Sequence, residues 1–415
     1  MHTETGWSSP ADITHVSERI RTGQLSPVDV VSACLAQIER LNPTLNAFIT
    51  VLAESALAQA RNAESEIRAG MWRGPLHGIP VGIKDFYDTA GVRTTAAFEH
   101  FRSRVPVNDA VGVAKLKNAG AIIIGKTNMH ELGTGTTGLE SCFGPVRNPW
   151  NVAFIPGGSS SGSAVAVASS MCYATLDTDA IGSTRLPAAC CGVVGFKGTY
   201  GLISSAGILA GEEDPGERIR WFSHPGVTTR TVSDTAVMLD VLADQREHAL
   251  SGYRTGLGAT TPLRIGVADH INVDRDVMAV FEQAVATVRG FADDVRCVTP
   301  PFEHPFDDFD CIEADRATIA ERTFREIDVL LLPTTVTAVP SVEAAEHDPQ
   351  ALSSGNTAFA NYYGLPAISV PCGFDANELP LGLQIVSKPW GELTVLRLAL
   401  CYLEATPWTD RHPNL

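Results

Sequence analysis

The chain has 415 residues, 44% of them hydrophobic, and a formal net charge of −16. That content is ample for a sizeable core, and the acidity argues against nucleic-acid binding, because phosphates are neutralised by Lys and Arg. No basic and apolar leader is recognisable and no apolar run reaches about 18 residues, so neither a secretory signal nor a membrane span is expected.

Ser26, Pro27 and Asp29 read as a helix start: an N-cap, a proline at the first helical position and an acid in the first turn. Val30, Val31, Cys34, Leu35, Ile38 and Leu41 then recur at helical spacing, which lays this helix on a core. A strand is expected over 47–51 and a mostly polar helix over 54–69. Short apolar strands between glycines follow at 81–83, 121–124 and 192–196, separated by helical patterns at 111–118 and 163–170. Later strands are expected at 263–267, 329–332, 367–370 and 383–386. This alternation predicts an α/β fold with one mixed sheet sandwiched between helices. No linker or repeat interrupts it, so residues 1–415 read as a single domain. Residues 211–261 are richest in charge and turn residues and are expected to make loops and a surface helix at the site entrance. The nine cysteines are odd in number, with no CxxC and no Cys/His pair at metal spacing. They read as mostly reduced core residues, and a reducing cytoplasm is the expected location.

Certain stretches carry candidate chemistry. GGSSSGS at 157–163 is compatible by itself with a linker or a phosphate cradle. The apolar AVAVA after it argues against a linker, and no Lys-Ser or Lys-Thr stands at P-loop spacing. Ser183 in DAIGSTRLP follows Gly182, which permits a tight turn, and precedes the helix-limiting Pro187. An isolated serine there is ordinarily a turn cap, although such turns also present nucleophiles. Lys84 ends the apolar run PVGIK, where an isolated lysine is ordinarily a surface residue.

Together these stretches resemble the amidase signature family of Ser-cisSer-Lys amide hydrolases. Lys84 in GIKD, Ser159 in GGSSSG and Ser183 in DAIGSTRLPAACCG follow the family's order and spacing. GKTNM at 125–129, FGPVRNPW at 143–150, GLPAISVPCGF at 364–374 and LPLGLQIVSKPW at 379–390 extend the likeness. It runs from near the N-terminus to about Thr406, with a core at about 75–205, a shortened variable region at about 211–328 and C-terminal strands and a helix at 329–406.

The resemblance implies the amidase signature fold and these roles: Ser183 as nucleophile, Ser159 as bridging serine after a cis Gly158–Ser159 peptide, and Lys84 as base. A serine hydroxyl needs a base, and lysine serves only when neutral, which desolvation favours. Val81, Ile83 and Phe86 are the expected apolar wall. The backbone N–H groups of Ala180, Ile181, Gly182 and Ser183 are the implied oxyanion hole. Thr178 and Asp179 would brace that turn. Ser160, Thr134, Gly135, His130 and Arg185 are candidate substrate contacts, with Arg185 read first as the partner of an acid such as Asp179. No metal and no organic cofactor is implied.

The chain departs from the family pattern at Ile181, where most members carry glycine. A β-branched residue rarely adopts positive φ, so the turn must use ordinary angles there. The side chain would also narrow the pocket toward small acyl groups. Cys190-Cys191 replaces a single cysteine and reads as a packing change. The expected function is amidohydrolysis of a small amide, carbamoyl or ureide compound. One alternative is a transamidation subunit that frees ammonia from glutamine for a partner, and another is a silent binding protein. The implied partner is a small-molecule amide, with homodimers common among homologous enzymes.

Overall fold

In the computed structural model, which describes residues 12–208, 217–244, 252–258, 262–301 and 309–415, the apolar runs become strands buried on both faces. Residues of VLLLP divide by alternation. Val329 and Leu331 join one apolar cluster, and Leu330 and Leu332 join another across the sheet. Ile123 and its neighbours Ile122 and Ile124 divide in the same way. Strands covered on both faces read as unbroken apolar runs rather than alternating ones.

The strands are β1 (Phe48–Val51), β2 (Pro80–Lys84), β3 (Ile122–Thr127), β4 (Ala174–Asp179), β5 (Val194–Lys197), β6 (His224–Thr229), β7 (Arg264–Ala268), β8 (Asp294–Val298), β9 (Val329–Pro333), β10 (Ala367–Phe374) and β11 (Pro380–Ser387). They form one 11-stranded mixed sheet in the order β1-β3-β2-β4-β6-β5-β10-β11-β9-β7-β8. One helical layer contains α1 (Ile13–Arg21), α4 (Val111–Asn118) and the helices Val232–Leu242, Arg275–Arg289 and Glu392–Glu404. The opposite face carries α2 (Pro27–Leu45), α3 (Ala53–Arg68) and α5 (Ser161–Ala168). The predicted start of α2 is seen, with Ser26 Oγ accepting from Val28 N at 3.0 Å. Among the described residues, no helix is long and apolar enough to cross a membrane.

The expectation for residues 211–261 is corrected by the structure. Residues 224–229 form β6, an interior strand between β4 and β5, and the helix Val232–Leu242 is largely buried. Residues 211–216, 245–251 and 259–261 lie outside the described residues. Local propensity hides β6, because HPGVTT contains a proline and a glycine, both poor strand formers. The glycine is there for space: a Cβ on Gly226 would lie 2.6 Å from Thr184 Oγ1. β4 and β8 also add to the predicted strands. β4 is the polar segment ATLDTD, and β8 lies at the sheet edge.

The topology brings the candidate residues together. β2 and β4 run parallel with Ile83 opposite Leu176, so Lys84 and Thr178–Asp179 reach the same end of the sheet. The helix α6 (Arg185–Cys191) follows the Ser183 turn and packs on β5. Contact is close: a Cβ on Gly195 would sit 2.5 Å from Ala188 Cβ and 2.6 Å from the Thr184 carbonyl oxygen. Gly195→Ala is therefore expected to destabilise the protein by about 1–3 kcal/mol through overpacking, read as a lower urea midpoint. An unchanged midpoint would mean that α6 is not seated this tightly.

Candidate active site

Lys84 ends β2 and is fully buried. Its Nζ donates to Ser159 Oγ at 2.8 Å, Ser160 Oγ at 2.9 Å and Thr178 Oγ1 at 2.8 Å, all uncharged oxygens. Val81 and Ile83 belong to the core on the other face of the strand. From the expected apolar wall it is Phe86 that flanks the amine, with Nζ 5.8 Å from the ring centroid. Burial lowers the Lys84 pKa to about 7, against the opposing pull of Asp177 and Asp179. At neutral pH this amine is poised to accept a proton.

Ser159 follows a cis Gly158–Ser159 peptide bond, and its carbonyl accepts from His130 N at 3.0 Å. Ser160 N donates to the Ser183 carbonyl at 3.0 Å, which ties the first serine loop to the second. Ser160 also contacts Lys84 directly, so it belongs beside the base and not only to the pocket lining. Ser183 is buried, and its hydroxyl makes no hydrogen bond to a described residue.

The turn before Ser183 is organised by Asp179. Its Oδ1 accepts from Gly182 N at 2.8 Å and its Oδ2 from Thr184 N at 3.1 Å. Burial alone would raise this carboxyl, but the Arg185 guanidinium holds it well below the usual carboxylate range. Arg185 Nη2 and Nε reach Asp179 at 2.9 and 3.0 Å, and Nη1 reaches Gln384 Oε1 at 2.5 Å. Asn361 Oδ1 accepts from Nη2 at 2.7 Å, and its Nδ2 donates to the Asp179 carbonyl at 2.7 Å.

Arg185 is fully buried with its guanidinium spent on protein groups, so it pairs with Asp179 as read first from the sequence, and its place among the candidate substrate contacts is withdrawn. The expectation for the oxyanion hole changes. The Gly182 N–H is taken by Asp179, whereas those of Ala180, Ile181 and Ser183 donate to no acceptor among the described residues. Gly182 carries the positive φ of the turn, 124°, and Ile181 does not, as its β-branch requires.

The remaining candidates lie nearby. His130 is buried, with Nε2 3.4 Å from Glu140 Oε2, and burial lowers its pKa. Gly135 sits against that ring, where a Cβ would be 2.1 Å from Cε1. Thr134 is exposed and turns back to the Glu131 carbonyl at 3.0 Å. Cys190 and Cys191 are free, buried thiols, and burial pushes Cys190 up to about 12. Among the described residues, no group of three or more His, Cys, Asp or Glu is arranged to hold a metal ion.

Asn361, Gln384 and Thr357 were missed by sequence reasoning. Gln384 carried a usable signal, being a polar residue within the apolar strand LPLGLQIV, and Asn361 lies just upstream of the quoted GLPAISVPCGF. Removing the guanidinium with Arg185→Met would strand a buried carboxylate, for which about 3–5 kcal/mol of destabilisation is expected. Urea unfolding measures it, and a loss below about 1 kcal/mol would contradict the bracing role assigned to this ion pair.

The chain matches the Amidase family over residues 29–320 and 313–396. The A subunit of the glutamyl-tRNA(Gln) amidotransferase of Geobacter metallireducens is 33% identical over 479 aligned residues, covering 95% of this chain and 97% of that protein. The same-named protein of Roseiflexus sp. (strain RS-1) is 34% identical over 485, covering 97% and 98%. Both alignments are longer than this chain, so these relatives carry segments it lacks. Among solved structures, 6-aminohexanoate cyclic dimer hydrolase complexed with substrate is similar with a TM-score of 0.83 at 26% identity, covering 97% of this chain and 98% of that one. The peptide amidase of Stenotrophomonas maltophilia has a TM-score of 0.84 at 25% identity, covering 98% and 99%. Sequence and fold agree over nearly the whole length, and the chain belongs to the amidase family, as an amidase signature enzyme acting on carbon–nitrogen bonds.

Proposed function

We propose that this protein hydrolyses the C–N bond of a small amide, carbamoyl or ureide compound through an acyl-enzyme on Ser183. The observation that carries this reading is the buried Lys84 amine, lowered to about 7 and in contact with Ser159. Neutral Lys84 accepts the Ser159 proton while Ser159 takes the proton of Ser183. Ser183 Oγ then bonds to the carbonyl carbon, and the developing oxyanion is received by the free N–H groups of Ala180, Ile181 and Ser183. As the C–N bond breaks, the proton returns through Ser159 to the leaving nitrogen, which departs as amine or ammonia. Water attacks the acyl carbon, gives its proton to the same relay, and Ser183 is restored. In the resting site the Ser183 hydroxyl has no hydrogen-bond partner among the described residues, and substrate binding draws it onto Ser159.

A second reading is favoured by the sequence relatives, which are named amidotransferase subunits. In it the amide donor is glutamine, and the ammonia passes to a protein partner. These relatives weigh more toward this reading than toward a stand-alone hydrolase, while the hydrolase and the peptide amidase among the structural neighbours weigh the other way. Both readings use the same acyl-enzyme chemistry. The contacts of Lys84 oppose a silent binding protein.

Ammonia release separates the readings. The panel is small amides, monoamides of diacids, carbamoyl-ureas and glutamine, with Ser183→Ala as control. Release from a non-glutamine class, lost in the control, supports the stand-alone hydrolase. Release from glutamine alone, increased by a co-purifying partner, supports the amidotransferase reading. No release from any compound, with or without that partner, counts against both readings and points to an inactive site around Ile181. With the preferred substrate, kcat/KM is expected to rise through about pH 7 and level above it, because Lys84 is protonated below its pKa and neutral above it. Lys84→Met should abolish this limb and cost about 10²–10⁴ in kcat/KM. Ile181 lies two residues before Ser183 in the nucleophile turn, so kcat/KM is expected to fall as the acyl chain lengthens, and a preference for long acyl amides would contradict the small pocket.

A further inference from the structure

Thr357 precedes the helix Ala358–Tyr362 and lies 176 residues from Ile181 in sequence. Its Oγ1 donates to the Ile181 carbonyl at 2.5 Å. The N–H at the other end of that same peptide unit, Gly182 N, donates to Asp179 Oδ1 at 2.8 Å. The Ile181–Gly182 peptide is therefore pinned at both ends, from opposite sides. The fit is tight, since a Cβ on Gly182 would lie 2.4 Å from Thr357 Oγ1 and 2.8 Å from Thr357 Cβ.

The pins close a ring. Asp179 is paired with Arg185, and Arg185 Nη1 donates to the Thr357 carbonyl at 3.0 Å. Thr357 Oγ1 is also 3.1 Å from the Ser354 carbonyl, so its single proton is contested, and the shorter contact is to Ile181. The free N–H groups of Ile181 and Ser183 belong to the peptide units on either side of the pinned one. A rotation of the pinned unit would turn its carbonyl onto the Asp179 carboxylate that now holds its N–H, and would swing the N–H groups of the units on either side out of line.

We propose that Thr357 is a positioning residue for the reaction at Ser183: its hydroxyl fixes the Ile181–Gly182 peptide against Asp179 and so keeps the neighbouring N–H groups of Ile181 and Ser183 aimed at the oxyanion site. This rests on the reading of Ser183 as nucleophile. The test uses the full-length protein and a fluorophosphonate probe. In that reaction the Ser183 Oγ–P bond forms, the P–F bond breaks with loss of fluoride, and the serine proton passes to Lys84 through Ser159. Labelling of wild type and not of Ser183→Ala establishes the nucleophile, and absent labelling would overturn that reading separately.

With labelling established, Thr357→Val is expected to lower the limiting inactivation rate by about 10²-fold, the cost of a misplaced catalytic geometry. The probe concentration giving half that rate should stay the same. Thr357→Ser, which keeps the hydroxyl, is expected to react at the wild-type rate. A folded Thr357→Val labelled as fast as wild type would overturn the proposal. So would a Thr357→Ser variant slowed tenfold or more, an outcome readable even if the valine variant does not fold. A merely structural role would lower thermal stability in both variants without this rescue.

Discussion

A carboxylate sealed from water is tolerable only if it is paired and hydrogen-bonded, and Asp179 meets that condition at the end of β4. The demand it creates shapes the nucleophile turn. Its oxygens collect N–H groups from Gly182 and Thr184 and the guanidinium of Arg185, and Arg185 reaches on to Asn361 and Gln384. The turn is thereby joined to segments that arrive from the far end of the chain. An ionised Asp179 is a fixed part of the scaffold across the pH range in which Lys84 changes charge.

Two buried lysines on adjacent strands show how environment separates roles. Ile83 pairs with Lys126 in the parallel register of β2 and β3, so Lys126 lies one step from Lys84. Lys126 Nζ is 3.5 Å from Asp85 Oδ1 and donates to the Tyr87 carbonyl at 2.6 Å. It is committed to an ion pair that fixes the chain after β2, although burial lowers it to about 8. Lys84 instead has hydroxyls around it and its acids at longer range. Neutralising Lys126 would leave the buried Asp85 carboxylate with Thr95 but without its counter-charge, whereas neutral Lys84 can stay hydrogen-bonded among its three hydroxyl partners.

The α/β sandwich was legible in the sequence because apolar runs between glycine turns are local signals, whereas Lys84, the serine loops and Asp179 stood out only through the ordered motifs that resemble the amidase signature family. β6 was not legible, since HPGVTT carries a proline and a glycine, and the glycine answers to Thr184 packing above the strand and not to strand propensity. Nor was the fate of the Gly182 N–H, which depends on where the Asp179 side chain points. Arg185 could be read as a pairing residue from spacing, but Asn361, Gln384 and Thr357 are joined to it by tertiary contacts that no short window contains.

The sheet order has a temporal consequence. β5 pairs with β10, so residues near 195 wait for residues near 368, and Arg185 waits for Gln384 on β11. Such long-range closure slows folding, because chain entropy is surrendered before the contacts reward it. A nascent chain that has emerged as far as Ser183 and Lys84 holds the reacting residues but not the groups that brace them. The site therefore matures only after β11 has been made, and a chain terminated before it would display a reactive-looking motif without a working turn.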